Sequence, residues 1–234
     1  MPRPTRLEYP GALYHVTARG VQQGDIFLDD DNRRALLKYV ARTLQEGHAH
    51  AFAYCLMGNH YHFVLQTSLP NLSTLMQRIN SGFCQAVNRR HHRCGHLLEG
   101  RFKAVVVDRD SYLLEVCRYV DLNPVRAGLV ESPLDWRWSS YASHIGNAPA
   151  PPWLATDELH GALTGQPVET DVQRHAARRS YAKWVASGSG VRLWKESLRD
   201  GLYLGDQAFA ERMKSSVSAT GVGTEALPRD RGQA

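Results

Sequence analysis

Two histidines in the run HYHFVLQ (60–66) could hold a metal ion. His60 and His62 stand two residues apart, and on a β-strand this spacing places both imidazoles on one face. Two neutral imidazoles on one face can share a divalent cation. The same pattern also occurs on ordinary solvated strands, and the chain has 11 histidines. The pair therefore indicates a metal site only where other residues support it.

Tyr119 and Asn123 offer that support from a helix. They stand four residues apart in YLLEVCRYVDLN, which places their side chains on one helical face. Each residue also has an ordinary structural explanation. Asn123 precedes Pro124, which disfavours helical dihedrals at the residue before it, so Asn123 could simply end the helix. A tyrosine on an amphipathic helix is commonly a core residue. If this helix crosses the sheet face that carries the histidines, His60, His62 and Asn123 form a metal site beside a phenol nucleophile.

The spacing of apolar residues predicts the elements that position these side chains. Two-residue alternation indicates strands, and repeats at three and four residues indicate amphipathic helices. The predicted order is a strand at 13–20, a helix at 31–46, strands at 49–57 and 60–66, a helix after Pro70 and Asn71, and a strand at 101–108. Gly58 and Asn59 predict a tight turn between the two middle strands. A third helix is predicted from an N-cap near Asp110 to Pro124.

This order predicts an α+β fold of the ferredoxin-like or RNA-recognition type. In such folds two helices cover one face of an antiparallel sheet, and the other face stays open. The third helix has no place in the basic unit, so we expect it to cover the open face as a catalytic helix. The linker GNAPAPPW (146–153) then predicts a first domain at 1–147, a helical and basic extension at 148–216 and a disordered tail at 217–234.

The composition excludes a membrane-spanning protein and permits a nucleic-acid partner. The chain of 234 residues has a formal net charge of +5, and no stretch approaches the roughly 20 apolar residues of a membrane span. The N-terminus lacks an apolar signal segment, so we expect a cytoplasmic protein. The four cysteines form no CxxC pair and are expected to be reduced packing residues. Seven Lys or Arg residues against two acids between Arg78 and Arg109 suit a phosphate backbone or, equally, a merely soluble face.

Several motifs in one order resemble a known family. The stretches GNHYHFVL (58–65) and RYVDLNPVRAGLV (118–130), with YPGALYHVTARG, GRFKA and WRWSSY, resemble the REP-associated tyrosine transposases, the single-tyrosine members of the HUH superfamily. The resemblance runs from about Pro4 through Tyr141. It therefore covers nearly all of the predicted first domain.

The resemblance implies a role for each candidate residue. His60 and His62 match the family's metal-binding histidines, Tyr119 matches its nucleophile, and Asn123 matches the residue that completes the metal site. Tyr61 departs slightly from the bulky apolar residue that is usual between the histidines. At the position of Asn123, relatives in the wider superfamily have glutamine.

The implied reaction is a transesterification on single-stranded DNA. Tyr119 would attack a phosphate and give a 5′-phosphotyrosine and a free 3′-OH, with Mg²⁺ or Mn²⁺ as the cofactor. Family members recognise small hairpins with a flanking tetranucleotide. This implies phosphate or loop-base contacts by four cations, Arg19, Arg101, Lys103 and Arg126. A structural salt bridge is the alternative role for each of them.

Two other functions stay open at this point. A replication-initiator nickase of the same superfamily would share the chemistry, although the NPVRAG stretch favours a transposase. A non-catalytic hairpin-binding protein would need stacking aromatic residues on the open sheet face, where this sequence has His60, His62, Val64 and Gln66. We expect hairpin or single-stranded DNA as the partner, no membrane partner, and a nucleoid-associated protein of the bacterial cytoplasm. The sequence does not define the target DNA, whether the protein forms a homodimer, or whether the tyrosine acts in cis or in trans. It also leaves open whether the protein mobilises DNA or only processes it, and what the extension does.

Overall fold

The computed structural model describes residues 6–188, 198–199 and 202–219. Within these residues, the strands are β1 (Leu13–Arg19), β2 (Ala49–Leu56), β3 (His60–Thr67), β4 (Lys103–Val107), β5 (Leu198–Arg199) and β6 (Tyr203–Leu204). The helices are α1 (Asp30–Glu46), α2 (Leu72–Arg90), α3 (Arg109–Asp121), α4 (Asn123–Arg126), α5 (Tyr141–His144), α6 (Thr156–Thr164), α7 (Asp171–Ala186) and α8 (Gln207–Ala219). The predicted strands and helices of the first 108 residues are therefore all present, with bounds that differ by one or two residues.

One sheet contains all six strands, and its order confirms the predicted fold. The order is β2-β3-β1-β4-β6-β5. The first four of these strands pair antiparallel in the ferredoxin-like order. Strand β6 continues the sheet parallel to β4, and β5 pairs antiparallel with β6. The sheet thus extends beyond the basic four-strand unit at the β4 edge.

The two faces of the sheet pack against different helices. Tyr14 and Val16 of β1 lie in one buried cluster with Leu36 of α1 and Phe83 of α2. Leu13 of β1, one residue away in the alternation, lies in a separate buried cluster with residues of α3. Helices α1 and α2 therefore cover one face, and α3 covers the other, as the sequence predicted.

The bounds of α3 correct two expectations about the catalytic helix. Asp108, in an extended conformation, is the N-cap, whereas Asp110 already lies in the first turn; the predicted N-cap at Asp110 is therefore wrong. The helix ends at Asp121, but Pro124 does not terminate helical structure. It lies in the first turn of α4, where the missing N–H of proline costs no hydrogen bond. Asn123 is consequently helical and lies one turn beyond Tyr119.

The C-terminal extension contains strands that the sequence did not predict. Its predicted helical character is correct for α6, α7 and α8, but β5 and β6 join the main sheet. The linker also pairs with the sheet, because the Ala51 N–H donates to the Trp153 carbonyl at 2.9 Å. Helix α8 continues to Ala219, beyond the predicted helical limit at 216, and the predicted disorder of 220–234 lies outside the described residues. The domain division near residue 148 stays a prediction.

Among the described residues, no helix is both long and apolar enough to cross a membrane.

Replacing Tyr203 tests whether the extension unfolds together with the sheet. Tyr203 is 2% exposed and pairs with Val106 of β4. We expect Tyr203→Ala to lower the free energy of unfolding by about 3–5 kcal/mol, since it removes a large buried side chain. Urea unfolding followed by circular dichroism should show one shifted transition. Val172→Ala, at a position that is 80% exposed, is the matched control and should change little. Two separate transitions, only one of which shifts, would show that the extension is an independent unit.

Candidate active site

Strand register places both predicted metal-binding histidines on the face that α3 covers. In the β1–β3 pairing, Thr17 lies opposite His62 and Arg19 lies opposite His60. Directly paired residues of antiparallel strands point to the same face. The prediction that His60 and His62 share one face is therefore confirmed by the strand pairing, and Arg19 lies on that face with them.

His15 is a part of this site that the sequence analysis missed. Its Nε2 atom lies 2.9 Å from Nδ1 of His62, and the two rings stack with centroids 5.1 Å apart. In the strand register His15 pairs with Val64, so it is a diagonal neighbour of His62. The alternation in LYHVTARG could have placed His15 on this face, but only the β1–β3 register brings it to His62.

Hydrogen bonds at Nδ1 orient both candidate ligands. Nδ1 of His60 lies 2.6 Å from Oδ1 of Asn59, an acceptor, so Nδ1 carries the proton and Nε2 holds the lone pair. Nδ1 of His62 has its partner in His15. When that nitrogen donates, Nε2 of His62 also holds a lone pair. Such outer hydrogen bonds fix the tautomer of metal-binding histidines in general.

Burial keeps the three imidazoles neutral. It lowers the pKa of His15 to about 3. Burial, and then the charge of Arg19, lower the pKa of His60 to about 4. Burial followed by His15 and His60 holds the pKa of His62 well below its ordinary value. Neutral imidazole is the form that binds metals, so the site has this form at neutral pH.

A buried nitrogen at the centre of the site fits a metal ligand. Nε2 of His62 is buried and has no hydrogen-bond partner within the described protein, and such orphaned atoms carry a desolvation cost. The described residues hold no group of three or more His, Cys, Asp and Glu side chains placed to bind a metal. The assignment of His60, His62 and Asn123 as metal ligands therefore stays a prediction.

Tyr119 lies over the imidazoles from α3. Its ring centroid is 6.0 Å from that of His15 and 6.0 Å from that of His62, with both pairs edge-on. The guanidinium carbon of Arg126 lies 5.3 Å from the centre of the Tyr119 ring. The half-buried phenol of α3, two imidazoles of the sheet and the cation of α4 thus lie close together within one chain.

Asn123 is connected to Tyr119 by continuous helical backbone. The Leu122 N–H donates to the Arg118 carbonyl at 2.9 Å, and Leu122 keeps right-handed helical angles. Asn123 therefore follows Tyr119 by one continuous turn, on the same side of the helix. No described hydrogen bond links its side chain to His60 or His62, so its role as a ligand stays a prediction.

Three of the four predicted DNA-binding cations lie near the histidines or the tyrosine. Lys103 pairs with Thr17, on the histidine face, and Arg19 and Arg126 lie there as described above. Arg101 is exposed beside Arg6, whose pKa is lowered by burial and by the charge of Arg101. No described contact joins Arg101 to the site.

Acidic residues from other parts of the chain neutralise part of the positive charge of the segment from 78 to 109. Several of its arginines form ion pairs with acids that are distant along the chain. These pairs are Arg78–Glu46, Arg90–Asp29, Arg90–Asp31 and Arg109–Glu158. The local excess of cations therefore does not make one uninterrupted phosphate-binding surface.

The fold and the site together define the class of protein, and a family comparison identifies it. An antiparallel ferredoxin-like sheet that carries paired histidines beside a helical tyrosine is the arrangement expected of a transposase, a DNA-cleaving enzyme. Residues 9–123 match the family model described as "Transposase IS200 like". Over this span, which includes His60, His62, Tyr119 and Asn123, the chain belongs to the IS200-like transposase family. The predicted resemblance is confirmed.

A solved structure shows the same fold. The structure of a REP-associated tyrosine transposase bound to a REP hairpin aligns with a TM-score of 0.55 and 16% identity, covering 66% of this chain and 92% of that chain. The tRNA(His) guanylyltransferase from Saccharomyces cerevisiae aligns with a TM-score of 0.40 and 10% identity, covering 88% of each chain; this similarity is too low to support an argument. No curated protein matches the chain.

Acid should destabilise the fold through the buried imidazoles. On unfolding, histidine regains a pKa of about 6.5, so below that pH the unfolded chain binds more protons than the folded chain. The stabilising contribution of the neutral rings is complete above pH ~6.5 and falls with acidification by up to about 1.4 kcal/mol per pH unit per group. Urea unfolding between pH 7.5 and 5 should show this loss. His62→Gln should flatten the dependence, and His175→Gln, at an exposed position, should not. A wild-type slope in His62→Gln would contradict the assignment.

Proposed function

We propose that this chain cleaves and rejoins single-stranded DNA at repeated hairpin sequences, with Tyr119 as the nucleophile. The observation that carries the proposal is the position of the Tyr119 ring, 6.0 Å from the rings of both His15 and His62 in the same chain. Membership of the IS200-like transposase family over residues 9–123 supports a DNA-cleaving reaction. The structural neighbour bound to a REP hairpin supports a hairpin as the DNA partner.

The reaction that fits these residues is a reversible transesterification. The phenol oxygen of Tyr119 attacks a backbone phosphorus, and the bond from that phosphorus to the 3′-oxygen breaks. The phenol loses its proton to solvent, the departing 3′-oxygen takes up a proton from solvent to give a free 3′-OH, and the 5′-phosphate stays on the tyrosine. Because the number of phosphoester bonds is unchanged, the same 3′-OH or another can reverse the step without ATP.

Neighbouring side chains prepare the phenol and the phosphate. A free phenol has a pKa of about 10 and is a weak nucleophile at neutral pH. Arg126 places positive charge beside the ring of Tyr119, where it can stabilise a developing phenolate and the attacked phosphate. Arg19, opposite His60 in the register, adds a second cation on this face. Arg19 and Arg126 would both act through their positive charge and not as general acids or bases.

We assign the metal site to His60, His62 and Asn123. When bound there, Mg²⁺ or Mn²⁺ supplies positive charge that stabilises the negative charge of the phosphate in the transition state. Asn59 accepts from Nδ1 of His60 and so leaves the lone pair of that ring on Nε2. Nε2 of His62 has a lone pair as well when its Nδ1 donates to His15. His15 is a positioning residue in this arrangement, since it orients His62.

We further propose that Arg19, Arg101, Lys103 and Arg126 contact the DNA backbone or loop bases. Lys103 and Arg19 lie on the histidine face, and Arg126 lies beside the nucleophile. A hairpin held across this face would therefore bring its single-stranded flank to Tyr119. Because Tyr119 and the histidines meet within one chain, a homodimer is not needed to complete the site.

The packing of α3 disfavours the binding-only alternative. A recognition-type fold reads single strands with aromatic residues on an open sheet face. Here Leu113, Val116 and Val120 of α3 are buried in one cluster with Val64 of that face. The part of the face under α3 is therefore not available for stacking bases. A replication-initiator nickase would differ from a transposase in the DNA site that it cuts, which a substrate comparison can decide.

Covalent capture tests the nucleophile. The purified chain with Mg²⁺ or Mn²⁺ and labelled single-stranded hairpin DNA from its own genome's repeats should give an adduct that survives denaturation. Tyr119→Phe should abolish it, because the phenol oxygen is lost and the ring is kept. Tyr112→Phe is the matched control on the same helix, half-buried as Tyr119 is, and should retain the adduct.

The outcomes separate the candidate functions. An adduct that forms on repeat hairpins and depends on metal and Tyr119 supports the proposal. Preferential cleavage of a plasmid origin over repeat hairpins would favour the nickase. Tight hairpin binding without any adduct would favour a binding protein and contradict the proposed chemistry.

The salt dependence of hairpin binding tests the cations one at a time. A phosphate contact adds roughly 0.7 to 0.9 to the slope of log K against log salt. Arg19→Gln, Lys103→Gln and Arg126→Gln should each reduce that slope by about this amount. Arg42→Gln, on α1 and paired with Glu46, is the control and should leave the slope unchanged. A wild-type slope in all three variants would place the DNA elsewhere.

A further inference from the structure

Helix α7 of the C-terminal extension holds the catalytic helix by two polar contacts one turn apart. The phenol of Tyr181 donates to Oδ2 of Asp121 at 2.8 Å. The guanidinium carbon of Arg118 lies 4.0 Å from the centre of the Trp184 ring, and Nη1 of Arg118 donates to the Trp184 carbonyl at 3.3 Å. Positions 118 and 121 on α3 thus pair with positions 184 and 181 on α7.

These contacts flank the nucleophile along the chain without facing the site. On an α-helix, positions 118 and 121 are rotated from Tyr119 by roughly 100° and 160°. Tyr119 therefore points to the histidines while its neighbours on either side point to α7. Val116 of α3 and Val185 of α7 also share a buried cluster. The extension forms a second layer that holds α3 against the sheet.

Asp121 is the centre of this attachment and is fully buried. Besides Tyr181, its carboxylate accepts from Ser140 Oγ at 2.7 Å and from His144 Nδ1 at 3.0 Å. Burial, and then the negative charge of Asp121, raise the pKa of Tyr181, so its phenol remains a donor. A buried carboxylate is tolerated only when such partners are present, which ties the position of α3 to two other segments, α5 with its N-cap Ser140 and α7.

The end of α7 closes over Arg118. Gly188 follows α7 and is buried, and a Cβ atom there would collide with the guanidinium arm of Arg118. The guanidinium also pairs with Glu115 on its own helix. Arg118 is 5% exposed, so this cation is occupied by α3 and α7 and is not offered to DNA.

We propose that Tyr181 and Trp184 of the extension are positioning residues for Tyr119, acting through Asp121 and Arg118 of the catalytic helix. This inference rests on the proposed function. The extension would then be part of the catalytic unit through its contacts with α3. A displacement of about 1 Å at a reacting group can reduce a rate by about 10²-fold, so a loosened α3 should slow cleavage strongly.

Single-turnover kinetics can separate positioning from stability. Unfolded molecules lower the amplitude of adduct formation, whereas a misplaced tyrosine lowers the rate constant. Tyr181→Phe removes one hydroxyl and keeps the ring. At saturating hairpin DNA and Mn²⁺ we expect its rate constant to fall about tenfold, with the amplitude and the hairpin Kd within about twofold of wild type.

Two further variants complete the kinetic test. Val40→Ala creates a cavity under α1, in the cluster on the opposite sheet face, and should lower the thermal midpoint without changing the rate constant. Trp184→Leu should slow the reaction as Tyr181→Phe does, and Trp184→Phe, which keeps an aromatic ring for Arg118, should restore most of the rate. Wild-type rate constants in both Tyr181→Phe and Trp184→Leu would overturn the inference.

Hydrogen exchange tests the same inference without cleavage. The α3 amides from 116 to 121 should exchange at least about tenfold faster in Tyr181→Phe than in wild type, and Val40→Ala should not select these amides. Equal protection of α3 in Tyr181→Phe and wild type would contradict the positioning role. If the wild-type chain forms no adduct, the proposed function fails, and the exchange result still decides whether α7 fixes α3.

Discussion

Apolar packing of α3 across one face of the antiparallel sheet is the constraint on which the candidate site depends. Val116 and Val120 bury one side of the helix against Val64 and its neighbours, and hydrophobic burial of this kind is the main force that holds a helix on a sheet. The helical period then directs Tyr119 toward the strand residues beyond that cluster. Tyr119 and the histidines meet because the helix, with 3.6 residues per turn, and the strand, with its two-residue alternation, direct these side chains to the same side of the packed interface.

The same packing sets the electrostatics of the site. Burial keeps His15, His60 and His62 neutral by lowering their pKa values, and it leaves Nε2 of His62 without a hydrogen-bond partner in the described part of the chain. Neutral nitrogen donors with lone pairs suit a divalent cation. Arg19 pairs with His60 in the strand register, and Arg126 lies beside the Tyr119 ring. The site therefore combines neutral imidazoles with nearby positive charge, which suits the function that we propose.

Local patterns predicted the fold and most of the site, and tertiary contacts account for the rest. The Gly58-Asn59 turn and the two-residue alternation of the strands are local, so they placed His60 and His62 on one face. His15 could not be assigned, because its contact with His62 depends on the register between β1 and β3. Strands β5 and β6 have two residues each, too few to show any period. The ion pairs of the basic segment likewise join acids and arginines that are distant along the chain.

The most direct test of the account is the distance between the metal site and Tyr119 in a single chain without DNA. 3-Fluorotyrosine placed at position 119, with bound Mn²⁺, reports that distance through paramagnetic broadening of its fluorine resonance. The account predicts severe broadening at Tyr119, weaker broadening for the same label at Tyr112, and loss of the effect at Tyr119 in His62→Gln. A sharp Tyr119 resonance in the presence of saturating Mn²⁺ would contradict a shared site for the tyrosine and the histidines.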